Sequence, residues 1–198
     1  MDGSYHTVTP PGACGCAEAL RIRACASPSQ APHCPVMHAL PESTQRVAAE
    51  LQRLRHPHAP RMLDDAARTA QQAADGLGVA LGQIAKSIIF RRKSDDAAVL
   101  VVTSGDRRVD EKKVDALVGK TGRADTEFVK AKTGFAIGGV SPVAHSTAPV
   151  TLIDRELFRF DVIWAAAGHP HGVFQLSPHD LQRLTGAPVA DVVQEASA

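Results

Sequence analysis

The sequence predicts a mixed α/β (α+β) domain, a mostly antiparallel mixed sheet with helices around it. Three observations carry that expectation. Apolar residues recur at helical spacing in some stretches and form short runs rich in Val and Ile in others. The two patterns alternate irregularly, without the strict strand–helix–strand rhythm of a parallel sheet. The composition is that of an ordinary globular chain, with 44% hydrophobic and 22% charged residues among 198.

Residues 1–42 stand apart from this pattern. They hold Pro10, Pro11, Pro28, Pro32 and Pro35 among Gly and Ser, and cannot bury enough apolar surface to offset ordering entropy. A flexible Cys/Pro-rich extension is expected there, followed by one domain over 43–198. Cys14, Cys16, Cys25 and Cys34 all lie in the extension. Their C-x-C-x8-C-x8-C spacing matches none of the paired-Cys zinc patterns, so reduced thiols are expected, with no metal and no cofactor.

The first helix is expected from Ser43, with Val47, Leu51 and Leu54 on one face and Pro57 and Pro60 beyond its end. A second is expected over 64–77, capped by Asp64 or Asp65 and ended by Gly76 or Gly78. Strands over 86–91 and 97–103 flank a polar hairpin linker. Helices over 110–118 and 126–132 end at Gly119 and Gly134. After a glycine-rich stretch come strands over 150–153, 162–166 and 173–176. Ser177, Pro178 and Asp180 then give the strongest helix start in the chain, and Gly186 its stop.

Four features invite chemistry. Lys86 shares one face of its strand with Ile84, Ile88 and Phe90, where an ammonium needs water or a partner. It either snorkels to solvent from a strand end or aims its charge at an anionic ligand across a cleft. Gly138-Gly139-Val140-Ser141-Pro142 is either a tight turn or a loop that brings backbone N–H groups to a developing oxyanion. Asp154, after an apolar run, is either a helix cap or an acid at the mouth of a site. His169-Pro170-His171 lacks a third metal ligand at a familiar spacing and reads as a surface turn.

Charge sharpens this picture. The formal net charge is only +1, whereas a duplex-coating protein is normally more basic. Residues 86–132 nevertheless carry twelve Lys or Arg against eight Asp or Glu, an excess of four. On the Lys86 side these would follow a single-stranded phosphate backbone; elsewhere they are solvated loops. No apolar run approaches the roughly 20 residues that span a bilayer, and the first 40 residues lack a secretory signal, so a cytoplasmic protein without membrane contact is expected. No Gly-x-Ser-x-Gly elbow or Walker loop nominates a nucleophile or a nucleotide site.

Lys86-Ser-Ile-Ile-Phe90, followed by Thr133-Gly134-Phe-Ala-Ile-Gly138-Gly139-Val-Ser-Pro142, resembles the YbaK/ProX family of trans-editing aminoacyl-tRNA deacylases and related synthetase-associated editing domains. Ser43-Thr44-Gln45-Arg46-Val47, the 150–154 segment and Leu176-Ser-Pro-His-Asp-Leu181 look like it too. The resemblance covers residues 43–193. It implies hydrolysis of the ester joining a small mischarged amino acid to tRNA, of the Cys-tRNA(Pro) or Ala-tRNA(Pro) type. It places the essential lysine on Lys86 and the family's Gly-x-x-x-Pro loop on Gly138 and Pro142, with Gly139 between them. It implies substrate contacts at Ile137, Val140, Ser141, Asp154 and His169. Val101 and Trp164 are further candidates for the pocket wall. Implied partners are the aminoacylated 3′ end of tRNA and a prolyl-tRNA synthetase. No protein side chain need act as nucleophile, since water or a substrate thiol can attack. The alternative is a non-catalytic module binding tRNA ends or a synthetase. A monomer is expected in either case.

Overall fold

The computed structural model describes residues 40–63 and 69–195. The four cysteines and the proposed caps Asp64 and Asp65 lie outside the described residues. Helix α1 spans Glu42–Arg53 and turns Val47 and Leu51 into the core. A two-residue strand β1, Arg61–Met62, precedes α2, Ala70–Leu77. Thr69 starts α2 through a reciprocal capping box with Gln72, and Gly78 ends it in the left-handed conformation.

Strands β2, Ile84–Arg92, and β3, Ala98–Ser104, form a hairpin with Lys86 opposite Thr103. Asp110 caps α3, Glu111–Val118, through the Lys112 and Lys113 amides. After β4, Thr121–Arg123, Asp125 caps α4, Thr126–Thr133. The chain then runs through β5, Val150–Asp154, β6, Ile163–Ala166, and β7, Gly172–Leu176. Ser177 and Asp180 form the expected capping box of α5, Pro178–Thr185, ahead of β8, Val189–Ala190. The strands β1, β4 and β8 have no counterpart in the sequence reading: two or three residues are too few for an alternation to show.

The eight strands of the described residues join one mixed sheet in the order β1-β7-β6-β2-β3-β5-β8, with β4 also on β2. The β1–β7, β6–β7, β2–β3 and β2–β4 pairs are antiparallel. The β2–β6, β3–β5 and β5–β8 pairs are parallel. On one face Ala85, Leu100, Val102 and Ile153 pack with Val47 and Leu51 of α1, Phe128 and Val129 of α4, and Leu181 and Leu184 of α5. The other face carries two separate clusters. Ile84, Trp164 and Val173 meet Ala73 and Ala74 of α2, while Phe90, Val99, Val101 and Leu152 meet Val114 of α3. Covered on both faces, β3 is buried along its whole length.

Strand β2 is paired unevenly. Strand β3 occupies one edge from Ala85 to Arg91. The other edge is shared: β6 pairs only with Ile84 and Ala85, and β4 only with Phe90, Arg91 and Arg92. Lys86, Ser87, Ile88 and Ile89 therefore have a strand neighbour on one side only, over a gap of about 13 Å at strand rise.

Leu100 lies at the centre of the larger core and is fully buried. Leu100→Ala should lower unfolding free energy by about 3 kcal/mol, read as a shifted midpoint with unchanged slope in urea. A loss below about 1 kcal/mol would show that this position is not tightly packed.

Candidate functional site

The gap in the β2 edge opens into two cavities. The first, about 240 Å³, is lined by the consecutive residues Ile84, Ala85, Lys86, Ser87 and Ile88, together with Ala73, Gly138, Val140, Trp164 and Pro170. The second, about 500 Å³, is lined by Lys86 through Phe90, with Arg108, Glu111, Arg123, Ile137, Gly138 and Val140. Consecutive strand residues point to opposite faces, so both sets can line a cavity only because it opens on the strand edge. Lys86, Ser87, Ile88, Gly138 and Val140 are common to both cavities and form the ridge between them.

Lys86 follows the parity of Ile84, Ile88 and Phe90, as expected, and sits at the seam between the two smaller clusters. Its Nζ donates to the Arg107 carbonyl at 2.8 Å. That carbonyl is on a braced turn. Ser104 Oγ donates to Asp106 at 2.7 Å, Asp106 pairs with Arg159, and Arg107 pairs with Glu156 at 3.1 Å. Burial lowers the pKa of the Lys86 ammonium; the negative charge of Asp106 opposes that and Arg108 adds to it. The lysine is thus half-sheltered with its charge held at the cleft, and the turn sets where Nζ points.

The 138–142 loop supplies the opposite wall. Gly138 adopts φ +88°, a left-handed conformation disfavoured for residues with a Cβ. Gly139 is required for a different reason: a Cβ there would lie 2.8–3.0 Å from the backbone of His169. The Gly139 N–H closes a turn onto the Ala136 carbonyl at 3.0 Å. Among the described residues, the N–H groups of Gly138 and Val140 have no backbone partner.

Of the residues expected at the site, Lys86, Gly138, Val140 and Trp164 line the first cavity, and Ile137 lines the second with more than half its surface exposed. Ser141 is fully buried, and Pro142 faces a third depression behind the loop. His169 meets the loop through its backbone, while its Nδ1 accepts the His171 amide at 3.2 Å. Asp154 lies two strands from Lys86, across β3, and is fully buried. Its carboxylate caps the 3₁₀ turn Arg155–Arg159 through the Glu156 amide and also accepts the Val192 amide. Burial raises its pKa. Val101 is in the core rather than the cavity wall.

Several residues had no sequence signal for the site. Ser87 is one: its buried hydroxyl lacks a hydrogen-bond partner among the described residues. Arg108 and Arg123, by contrast, belong to the basic stretch expected to follow a phosphate backbone on the Lys86 side; they face the second cavity and make no ion pair among the described residues. Other basic side chains of the stretch are paired with acids, as in Arg91–Asp96, Arg92–Asp95 and Lys113–Asp191. His145 is another residue without a sequence signal. Its ring lies behind the loop, edge-to-face with Phe135 at 5.8 Å between centroids, and burial lowers its pKa to about 4.

The model of a family described as aminoacyl-tRNA editing domain matches residues 64–184. The uncharacterized protein YwhH of Bacillus subtilis (strain 168) is 34% identical over 122 residues, which cover 61% of this chain and 77% of that protein. A crystal structure of a candidate trans-editing enzyme for prolyl-tRNA synthetase is 38% identical, with TM-score 0.75, and covers 79% of this chain and 99% of its own. The crystal structure of hypothetical protein APE2540 is 29% identical, with TM-score 0.70, and covers 75% and 99%.

Two expectations follow from the geometry. Gly139→Ala must push the loop away from His169, destabilising the protein by about 1–3 kcal/mol as overpacking does. Amide resonances of residues 168–172 should shift together with those of 138–142, and unchanged 168–172 resonances would refute the contact. The His145 ring binds its proton more weakly folded, at about 4, than unfolded, at about 6.5. Its stabilising contribution is therefore complete above about pH 6.5 and is lost as pH falls from there to about 4, a change of order 3 kcal/mol. Denaturation from pH 4 to 7 should be steeper in pH for wild type than for His145→Asn; equal slopes would rule this out.

Proposed function

The chain belongs to the aminoacyl-tRNA editing domain family, and from that premise we propose that it is an aminoacyl-tRNA deacylase acting in trans on a small mischarged amino acid. Residues 43–198 form the editing domain in this reading, and residues 1–42 an extension that the reaction does not need. The protein works as a cytoplasmic monomer. The observation that carries the reading is the meeting of Lys86 and the 138–142 loop on the ridge between two cavities.

The first cavity, with Ile84, Ala85 and Trp164 in its wall, receives the aminoacyl side chain; its 240 Å³ suits a small residue. The second, with unpaired Arg108 and Arg123, receives the terminal nucleotide and its phosphate. Ile137 covers the base and Lys86 holds the anionic end beside the ester. The Gly138 and Val140 N–H groups polarise the ester carbonyl, with Gly139, Ser141, Pro142 and the His169 turn fixing the loop. Water adds to the carbonyl carbon, the oxyanion is held by these donors, and the carbon–oxygen ester bond breaks. The ribose hydroxyl leaves with a proton from solvent. An aminoacyl ester is intrinsically labile, so positioning and electrostatics suffice without a protein nucleophile. Asp154 contributes at a distance, by holding the end of β5.

A relative at 38% identity is named for prolyl-tRNA synthetase, so Cys-tRNA(Pro) and Ala-tRNA(Pro) are the first substrates to test and that synthetase the first partner. Deacylation of a mischarged tRNA panel should be clear with wild type and reduced at least about 100-fold by Lys86→Ala, with thermal midpoint little changed. Binding of tRNA or synthetase without hydrolysis of any panel member would replace this reading by that of a non-catalytic module.

A further inference from the structure

The Arg107 carbonyl that receives Lys86 Nζ is gripped from behind by the 3₁₀ turn Arg155–Arg159. Two consecutive residues are held. Arg159 Nη2 meets both carboxylate oxygens of Asp106 and donates to Ser104 Oγ at 3.0 Å. Glu156 accepts from Arg107 at 3.1 Å and from Arg159 Nη1 at 3.3 Å, so it joins the two grips. The Arg107 amide closes the held turn onto the Ser104 carbonyl at 3.1 Å. The buried Ser104 hydroxyl is within hydrogen-bond distance of both Asp106 and the Gly82 carbonyl, which ties the turn to the chain just before β2.

The gripping turn is itself fixed by the fold. Asp154, fully buried, accepts the Glu156 amide at 3.2 Å, and Leu157 is fully buried in the larger core. The Arg159 guanidinium lies 4.7 Å from the Phe160 ring centroid. Gly82 leaves room for both: a Cβ there would stand 2.8 Å from Arg159 Nη2 and closer still to the Phe160 ring. Partial burial and shared partners set this network apart from an isolated exposed ion pair.

Lys86 needs such a support. Its stem carries about 2 kcal/mol of rotamer entropy, and β2 has no strand neighbour on the cleft side at this residue. One ammonium N–H on the Arg107 carbonyl leaves two for a ligand. The place of that carbonyl therefore sets the reach of the charge. Arg108, next in the chain, has its own tie, its carbonyl accepting the Gln194 amide at 2.9 Å.

We propose that Arg159 is a positioning residue for deacylation: by gripping Asp106 and, through Glu156, Arg107, it fixes the carbonyl that aims the Lys86 ammonium at the anionic end of the substrate. Arg159 lines neither cavity at the β2 edge, so it acts only through the turn. The effect on rate rests on the deacylase reading, but the aim of Lys86 is a property of the folded protein.

The test compares full-chain wild type with Arg159→Met, which keeps most of the stem but no donor, and Arg159→Lys, which keeps the charge. Arg155→Met is the control: Arg155 lies on the same turn but pairs with Asp191, at 3.2 Å. The first readout is solvent exchange of the Lys86 ammonium protons by nitrogen-15 NMR, the resonance being assigned by its loss in Lys86→Ala. Exchange should be about tenfold faster in Arg159→Met, as loss of one hydrogen bond allows, and near wild type in the other two. The second is turnover of whichever mischarged tRNA wild type hydrolyses. Here kcat should fall about tenfold in Arg159→Met with KM within about threefold, as misplacement does. Arg159→Lys should recover most of that loss, and Arg155→Met should show none. Unchanged ammonium exchange, unchanged kcat despite faster exchange, or an equal loss in Arg159→Lys or Arg155→Met would overturn the proposal. Should Arg159→Met fail to fold, Glu156→Gln is held to the same expectations, since it weakens the grip on Arg107 and leaves the Asp106 charge in place. If wild type hydrolyses nothing, the deacylase reading and the effect on rate fall together, and ammonium exchange alone decides whether Arg159 aims Lys86.

Discussion

The cleft exists because β2 has one complete strand neighbour and two partial ones. A strand inside a sheet normally satisfies its backbone groups on both edges, and buried groups left over are costly. Here β6 arrives in parallel at one end of β2 and β4 in antiparallel at the other. Neither reaches Lys86 through Ile89. The open edge therefore has to face water or a ligand, and a lysine is tolerable on a face whose other members are apolar. The same gap separates the Ile84–Trp164 cluster from the Phe90–Val101 cluster, which would otherwise form one core.

Across the gap stands a loop whose shape is dictated by contacts on both sides. Gly138 is needed for its backbone conformation, Gly139 for the nearness of His169. Behind them, Arg46, Phe135 and His145 stack from α1 to the far limb of the loop. Rigid backing of this kind is what lets backbone N–H groups act as fixed dipoles, since donors that must reorganise during a reaction lose most of their advantage. Charge is arranged on the same principle. Several basic side chains near the cleft, Arg91, Arg92, Arg107 and Lys113 among them, are paired with nearby acids, and such pairs contribute little to stability. Arg108 and Arg123 remain to give the second cavity its sign.

The elements legible in the sequence are those whose signals are local. Ser177, Pro178, Asp180 and Gly186 delimit α5 within ten residues, and Gly119 and Gly134 end α3 and α4 where expected. The parity of Ile84, Lys86, Ile88 and Phe90 put the lysine on its correct face, and the bland alternative for Asp154, a cap, is the bonding it makes. Thr69 as the start of α2 was missed because a polar pair of aspartates lay upstream. The short strands β1, β4 and β8 were missed because each forms only where a longer neighbour offers an edge.

By itself, then, the sequence determined the periods, the caps, the left-handed glycine positions and the motif that marks the family, because each depends on a few adjacent residues. Tertiary structure alone decided that Lys86 would meet Gly138, that Trp164 rather than Val101 would line the cavity, and that His145 would close the loop from behind. The first two meetings join segments roughly 50–80 residues apart in the sequence. They are driven by burial of apolar surface, which is non-directional and leaves no local signature of which distant residue will arrive.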